Sequence, residues 1–219
     1  MNATPPERPL GPRALAVGLV ALAALAAGVW SARHLVGTAA DVPRTEVAAV
    51  YRRPRPLPEF ALTAHDGTPF DVARLRGHYT FMLFGYTNCP DVCPTTLLEL
   101  ARARRLLADL PAAALPSVVL VSVDPARDTP AQLAAYVPHF DPSFVGVTGS
   151  EAAIDAFALA LGVAIERGTP KDGSYAVDHT AAVFLVDPLA RVAAVFPTPH
   201  VATALAADYR AIRAAGSGG

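Results

Sequence analysis

Only two cysteines occur in the 219 residues, Cys89 and Cys93, and they stand four apart in the stretch FGYTNCPDVCP. In a helical turn that spacing puts both sulfurs on one side, close enough to bridge each other or to clasp one metal ion. Three chemistries stay open on spacing alone: a static disulfide, a redox-active dithiol and a soft metal site. A single pair excludes a multi-disulfide scaffold and any four-cysteine zinc or iron-sulfur centre. The pair follows an apolar run and precedes a helical pattern, so it belongs at the carboxyl edge of a sheet, where the helix dipole favours thiolate over thiol. A bridge closing so short a loop stabilises little, which weighs against a purely structural disulfide.

Other function classes fall to composition. With 18 Lys+Arg against 19 Asp+Glu the formal net charge is -1, no footprint for a nucleic-acid binder. At 53% hydrophobic and 17% charged the chain is too apolar for disorder. Its length suits one well-cored domain with an appendage. Residues 14–30, ALAVGLVALAALAAGVW, carry no charge, and through Ala32 they predict a single transmembrane anchor, with Trp30 at an interface. Arg8, Arg13, Arg33 and Arg44 give the positive-inside rule little to decide on, but a long domain after a first span is expected outside the cytoplasm. The expected organisation is a cytoplasmic N-terminus at 1–13, an anchor at 14–32, a Pro/Arg linker at 33–58 including YRRPRPLPE, a folded domain at 59–214 and a flexible tail at 215–219.

Within the domain, FALTAHDGTPFDV predicts two short strands around an Asp66-Gly67 turn. YTFMLFGY (79–86) and SVVLVSVD (117–124) read as buried central strands. Between them a helix is expected with Pro94 in its first turn and Leu97, Leu98, Leu100, Leu106 and Leu107 on an apolar face. Thr129 and Pro130 start a further helix, FVGVTG is a short strand, and 151–162 is a helix closed by Gly162. TAAVFLVDPLARVAAVFP predicts a hairpin around Asp187-Pro188, and HVATALAADYRAIRAA a closing helix. Strands alternating with helices, then an antiparallel hairpin and a helix, is the element order of an α/β, thioredoxin-like fold with an N-terminal β-hairpin.

FGYTNCPDVCP, VSVDPARDTP (121–130) and DHTAAVFLVDP (178–188) resemble the signature segments of the SCO/SenC family, copper chaperones for cytochrome c oxidase assembly. The resemblance covers roughly residues 55 to 212. It implies a thioredoxin-like domain whose CxxxC pair and a distant histidine bind one copper ion; by position these are Cys89, Cys93 and His179. It also implies a single-pass protein of the inner membrane, with its domain on the periplasmic side, delivering copper as a monomer to the binuclear site of oxidase subunit II. The family often has a histidine where this chain has Asn88, a position outside the three ligands.

The residues support His179 independently. In a thioredoxin topology the loop before the strand at Thr180 lies against the cysteine loop, and here it reads Val177-Asp178-His179-Thr180, with no proline. Two thiolates and one imidazole suit Cu(I), and Cu(II) with an added ligand; zinc would keep an open position with no hydrolytic partner in view. His34, His65, His78, His139 and His200 are expected to have no metal role, and Asp91 and Asp178 to act beside the ligands or as helix caps. Asp124 and Asp128 are expected to organise a turn and cap the next helix. Met82 alternates within a buried strand, so no methionine-rich copper segment exists. Two rival readings use the same cysteines: a thiol-disulfide reductase in which Cys89 attacks and Cys93 resolves, and a redox sensor that does not need His179.

Overall fold

The computed structural model describes residues 12–35, 42–169 and 175–216. It divides into two compact units, 1–41 and 42–219. Among the described residues of the first unit, helix α1 (Pro12–Leu35) covers the apolar segment. Among the described residues no helix is long and apolar enough to cross a membrane. The structure therefore lends the expected anchor at 14–32 no support. Residues 1–11 of the expected N-terminal segment, 36–41 of the linker and 217–219 of the tail lie outside the described residues.

The second unit is built on strands β1 (Ala49–Pro56), β2 (Ala61–Ala64), β3 (Pro69–Asp71), β4 (Thr80–Gly85), β5 (Ser117–Ser122), β6 (Val145–Thr148), β7 (Ile165–Arg167), β8 (Val177–His179), β9 (Val183–Val186) and β10 (Arg191–Phe196). Helices α2 (Val92–Leu106), α3 (Pro130–Tyr136), α4 (Glu151–Ala160) and α5 (Ala202–Gly216) are interleaved with them. Among the described residues eight strands form one mixed sheet in the order β1-β10-β9-β4-β5-β6-β2-β3, and β7 and β8 pair with each other in a separate two-stranded sheet. β4 runs parallel to β5 and antiparallel to β9, as the thioredoxin-like order requires.

The continuous apolar runs are explained by burial on both faces of the sheet. Met82 and Phe84 of β4 face a core shared with Val119, Val121, Ile154 and Phe157. Phe81 and Leu83 face the opposite core with Leu97, Leu100, Leu205 and Tyr209. On α2 the buried stripe is Leu97, Leu100, Ala101 and Ala103, continued by Leu107, while Leu98 and Leu106 are exposed, contrary to the expected five-leucine face. A 3.6-residue period cannot place positions 97 and 98 on one narrow stripe. The first hairpin is as expected: Gly67 takes a left-handed φ of 84° and Asp66 Oδ1 accepts from the Thr68 amide at 2.9 Å.

Two parts of the sheet differ from expectation. Residues 49–56, expected within the linker, form edge strand β1, paired antiparallel with β10 and interrupted by a register shift between Val50 and Arg55. Proline is tolerated on an edge strand or at a bulge, so the same Pro/Arg pattern that suits a spacer also suits this position. The last strand pair begins at Val183 rather than Thr180, because Val177–His179 is committed to β7 instead.

The start of this unit is held by Asp208 of α5, only 1% exposed, whose carboxylate accepts the backbone N–H groups of Glu46, Val47 and Ala48 at 2.6, 3.0 and 2.8 Å. Asp208→Ala leaves these donors unpaired at a buried point. The substitution is expected to lower the unfolding free energy by about 3 kcal/mol, measured by urea denaturation.

Candidate metal centre

The cysteine-bearing loop begins where β4 ends. Gly85 has room only for a hydrogen: a Cβ there would stand 3.0 Å from Cys93 Sγ and 3.0 Å from Leu120 Cδ1. The missing side chain is what lets the Cys93 sulfur lie against the strand. The loop then turns back on itself through the Cys89 amide, which donates to the Tyr86 carbonyl at 3.2 Å. Pro94 falls in the first turn of α2, where its missing N–H removes no helical bond. Asp91 occupies the cap position with no side-chain bond to the helix amides; its carboxylate accepts from Thr95 Oγ1 instead.

Cys89 is half-buried and Cys93 is 2% exposed, and both are free thiols. The Cys93 amide donates to Cys89 Sγ at 3.4 Å. Cys93 Sγ lies 3.7 Å from His179 Nε2, across 86 residues of chain. His179 Nδ1 is 3.2 Å from the Thr180 carbonyl. Since a carbonyl only accepts, Nδ1 carries the hydrogen, and the Nε2 lone pair of the neutral ring is turned toward the sulfur. Burial pushes the His179 pKa below its ordinary value, which keeps the ring neutral, as a metal ligand must be. Burial, then hydrogen bonding with Cys89, pushes the Cys93 thiol up. Burial at Cys93 thus works against the thiolate that its place at the start of α2 favours.

These donors face one another rather than a shared point. Among the described residues no three His, Cys, Asp or Glu side chains already stand as a metal-holding group. Two sulfurs and one imidazole nitrogen are nonetheless a soft donor set that fits copper.

The turn after β5 joins the two halves of the site. Asp128, fully buried, accepts from the Thr87 amide at 3.1 Å, from Thr87 Oγ1 at 2.6 Å and from Ser122 Oγ at 2.6 Å, and so grips the cysteine loop. Asp124, also fully buried, pairs with Arg127 and accepts from the Tyr175 hydroxyl at 2.5 Å. Both organise the turn as expected, but the cap of α3 is Thr129 rather than either aspartate. Tyr86 packs edge-on to His179 with ring centroids 6.2 Å apart.

Asp178 is exposed and lies beside His179 in sequence without a hydrogen bond to it. His65 accepts from the Gly146 amide, and His78 contacts the Arg76 carbonyl, both away from the cysteines. His200 is different: it lines one cleft with Cys93 and His179, and its Nε2 is 3.3 Å from the Ala181 carbonyl. Sequence reasoning placed it in no motif. Its only signal is a position just before α5, whose N-terminal end the fold carries to this cleft. Gly85 and Tyr86 lie within FGYTNCPDVCP without a role of their own, and Tyr175 lies in no quoted segment, because their roles depend on contacts that no local pattern encodes.

A family model described as SCO1/SenC matches residues 50–214. The mouse mitochondrial SCO2 homologue is 39% identical over 132 residues, covering 59% of this chain and 51% of that protein. Curated relatives at similar identity are spanned over 38% to 66% of their length. Among solved structures, Bradyrhizobium japonicum ScoI with copper bound is 35% identical, with 71% of this chain and 98% of that one covered at a TM-score of 0.64. Arabidopsis thaliana ScoI with copper bound is 32% identical, covering 72% and 98% at a TM-score of 0.67.

The buried turn generates a pH dependence. Burial raises the Asp128 pKa above 3.8 despite its three donors. The folded chain then holds that proton longer than the unfolded chain, so the contribution to stability is fully present below 3.8 and is lost as pH rises through the folded value. Asparagine does not titrate. The stability advantage of the parent over Asp128→Asn is expected to be larger at about pH 3.5 than at about pH 6.5 in urea titrations, and an advantage that grows with pH contradicts this.

Proposed function

This chain belongs to the SCO1/SenC family, and from that premise we propose that it is a copper chaperone holding one copper ion through Cys89, Cys93 and His179. The observation that carries the reading is the 3.7 Å approach of Cys93 Sγ to His179 Nε2, with Cys89 Sγ against the Cys93 amide. The copper-bound ScoI relatives share the fold over nearly their whole length, which supports copper as the cargo. Two soft sulfurs and a neutral imidazole bind Cu(I) without rearranging the protein's charge elsewhere.

Exposure orders the handover. Cys89, the more accessible sulfur, is the ligand that an incoming thiolate of a partner displaces first, while Cys93 and His179 keep hold from the inner side of the cleft. The recipient we propose is the binuclear copper site of cytochrome c oxidase subunit II, reached from a membrane-tethered position with the domain outside the cytoplasm. α1 is the segment that would tether it. Carbonate extraction of membranes tests the tether: the full chain is expected in the pellet, and release to the supernatant overturns it.

The central test is a titration of the metal-free protein with Cu(I) against a chromophoric competitor, followed by Cu(II). One Cu(I) per chain is expected. Cys89→Ser and Cys93→Ser are each expected to lose more than the roughly 10- to 100-fold in affinity that removal of an outer-shell partner costs. Because Cys93 is protonated when free, binding expels that proton and affinity rises with pH. Unchanged Cu(I) affinity in either serine variant sinks the site.

A second reading, a thiol-disulfide reductase, draws on the two free thiols four residues apart, with Cys89 Sγ against the Cys93 amide. Here the exposed Cys89 attacks a target disulfide and Cys93 resolves the mixed disulfide. His179→Ala separates the two. In cells lacking the native protein, loss of oxidase activity that added copper restores supports the chaperone; full activity at low copper supports the reductase.

A further inference from the structure

The hairpin that carries His179 is not part of the main sheet. Among the described residues β8 pairs with β7 alone, so its position depends on side chains that moor it to the body of the domain. On one arm Arg167 donates from Nε to the Val123 carbonyl at 2.9 Å. On the other, Tyr175 donates its hydroxyl to Asp124 at 2.5 Å, and the Arg127 guanidinium lies 3.7 Å from the centre of its ring. Both arms therefore dock on adjacent residues of the turn after β5.

Tyr175 also sits in register with the ligand. The ladder of the hairpin continues past β8 through the Gly168 amide to the Ala176 carbonyl at 2.9 Å. Along an extended segment alternate residues share a face, so Tyr175, Val177 and His179 project to one side. The exposure pattern agrees: Val177 is buried, while Ala176 and Asp178 are exposed. A slip of one residue would turn the imidazole away from Cys93.

We propose that Tyr175 is a positioning residue for the metal site: its hydroxyl, bound to the buried Asp124 carboxylate, fixes the register of the His179 strand and thereby the place of Nε2 beside Cys93. The copper arm of this inference rests on the proposed function, whereas the placement of the ring does not. Asp124 gives the tether its strength, since a carboxylate with no solvent exposure depends on Arg127 and Tyr175 for compensation. Tyr175→Phe keeps the ring against Arg127 and removes only the hydroxyl.

The experiment uses the full chain. In metal-free protein at fixed pH, the nuclear Overhauser contact between the Tyr86 and His179 rings is measured in the parent and in Tyr175→Phe; the contact is expected to weaken or vanish in the variant. Cu(II) is then titrated into the parent, Tyr175→Phe, His179→Ala and the double variant. Tyr175→Phe is expected to lose about tenfold in Cu(II) affinity and to shift the sulfur-to-copper absorption toward that of His179→Ala, with no further loss when both are changed. An unchanged ring contact, or an equal loss of affinity with and without His179, overturns the positioning role. A parent that binds no copper through His179 overturns the proposed function, and the ring contact still decides the role of Tyr175.

Discussion

Two carboxylates with no exposure to solvent, Asp124 and Asp128, hold this site together. A buried charge is tolerated only where donors converge on it, and the donors here come from segments far apart in sequence. Thr87, two residues before Cys89, satisfies Asp128; Tyr175, four residues before His179, satisfies Asp124. The need to compensate one turn thus pulls the cysteine loop and the histidine hairpin to the same sheet edge. Ser122 completes the arrangement by bonding both aspartates, through its hydroxyl to Asp128 and from the Asp124 amide.

The electrostatics of the site follow from how deep each group lies. A thiol at a helix N-terminus is expected to ionise easily, but at Cys93 burial raises the cost of the charge. The same burial keeps His179 neutral. In the metal-free site Cys93 Sγ and the neutral His179 ring contact each other, and a soft cation replaces that contact with bonds. Gly85 makes this possible at the backbone level, since any side chain there would meet the Cys93 sulfur.

Much of this was legible in the sequence, and the reason lies in periodicity. The paired central strands, α2 after the cysteines and the Asp66-Gly67 turn each carry a local signal that the fold respects. The cysteine pair and His179 stood out through spacing and through the segments around them, and the structure brings Cys93 and His179 into contact. What escaped was set by distant partners. The Pro/Arg stretch reads equally as spacer or edge strand until Asp208, more than 150 residues away, captures the amides just before it. β7 and β8 are three residues each, too short to show alternation, and their mooring depends on Arg167 and Tyr175 finding the turn after β5. His200 looked like one of several isolated histidines because nothing local says that α5 begins beside the cysteine cleft.

The most direct test of the account is X-ray absorption at the copper edge on the full chain loaded with one Cu(I). Two sulfur scatterers and one imidazole nitrogen are predicted in the inner shell, with the nitrogen absent in His179→Ala and one sulfur absent in Cys89→Ser. A shell of nitrogen and oxygen only, or two sulfurs with no imidazole scattering in the parent, would contradict the assignment of Cys89, Cys93 and His179 as the copper ligands.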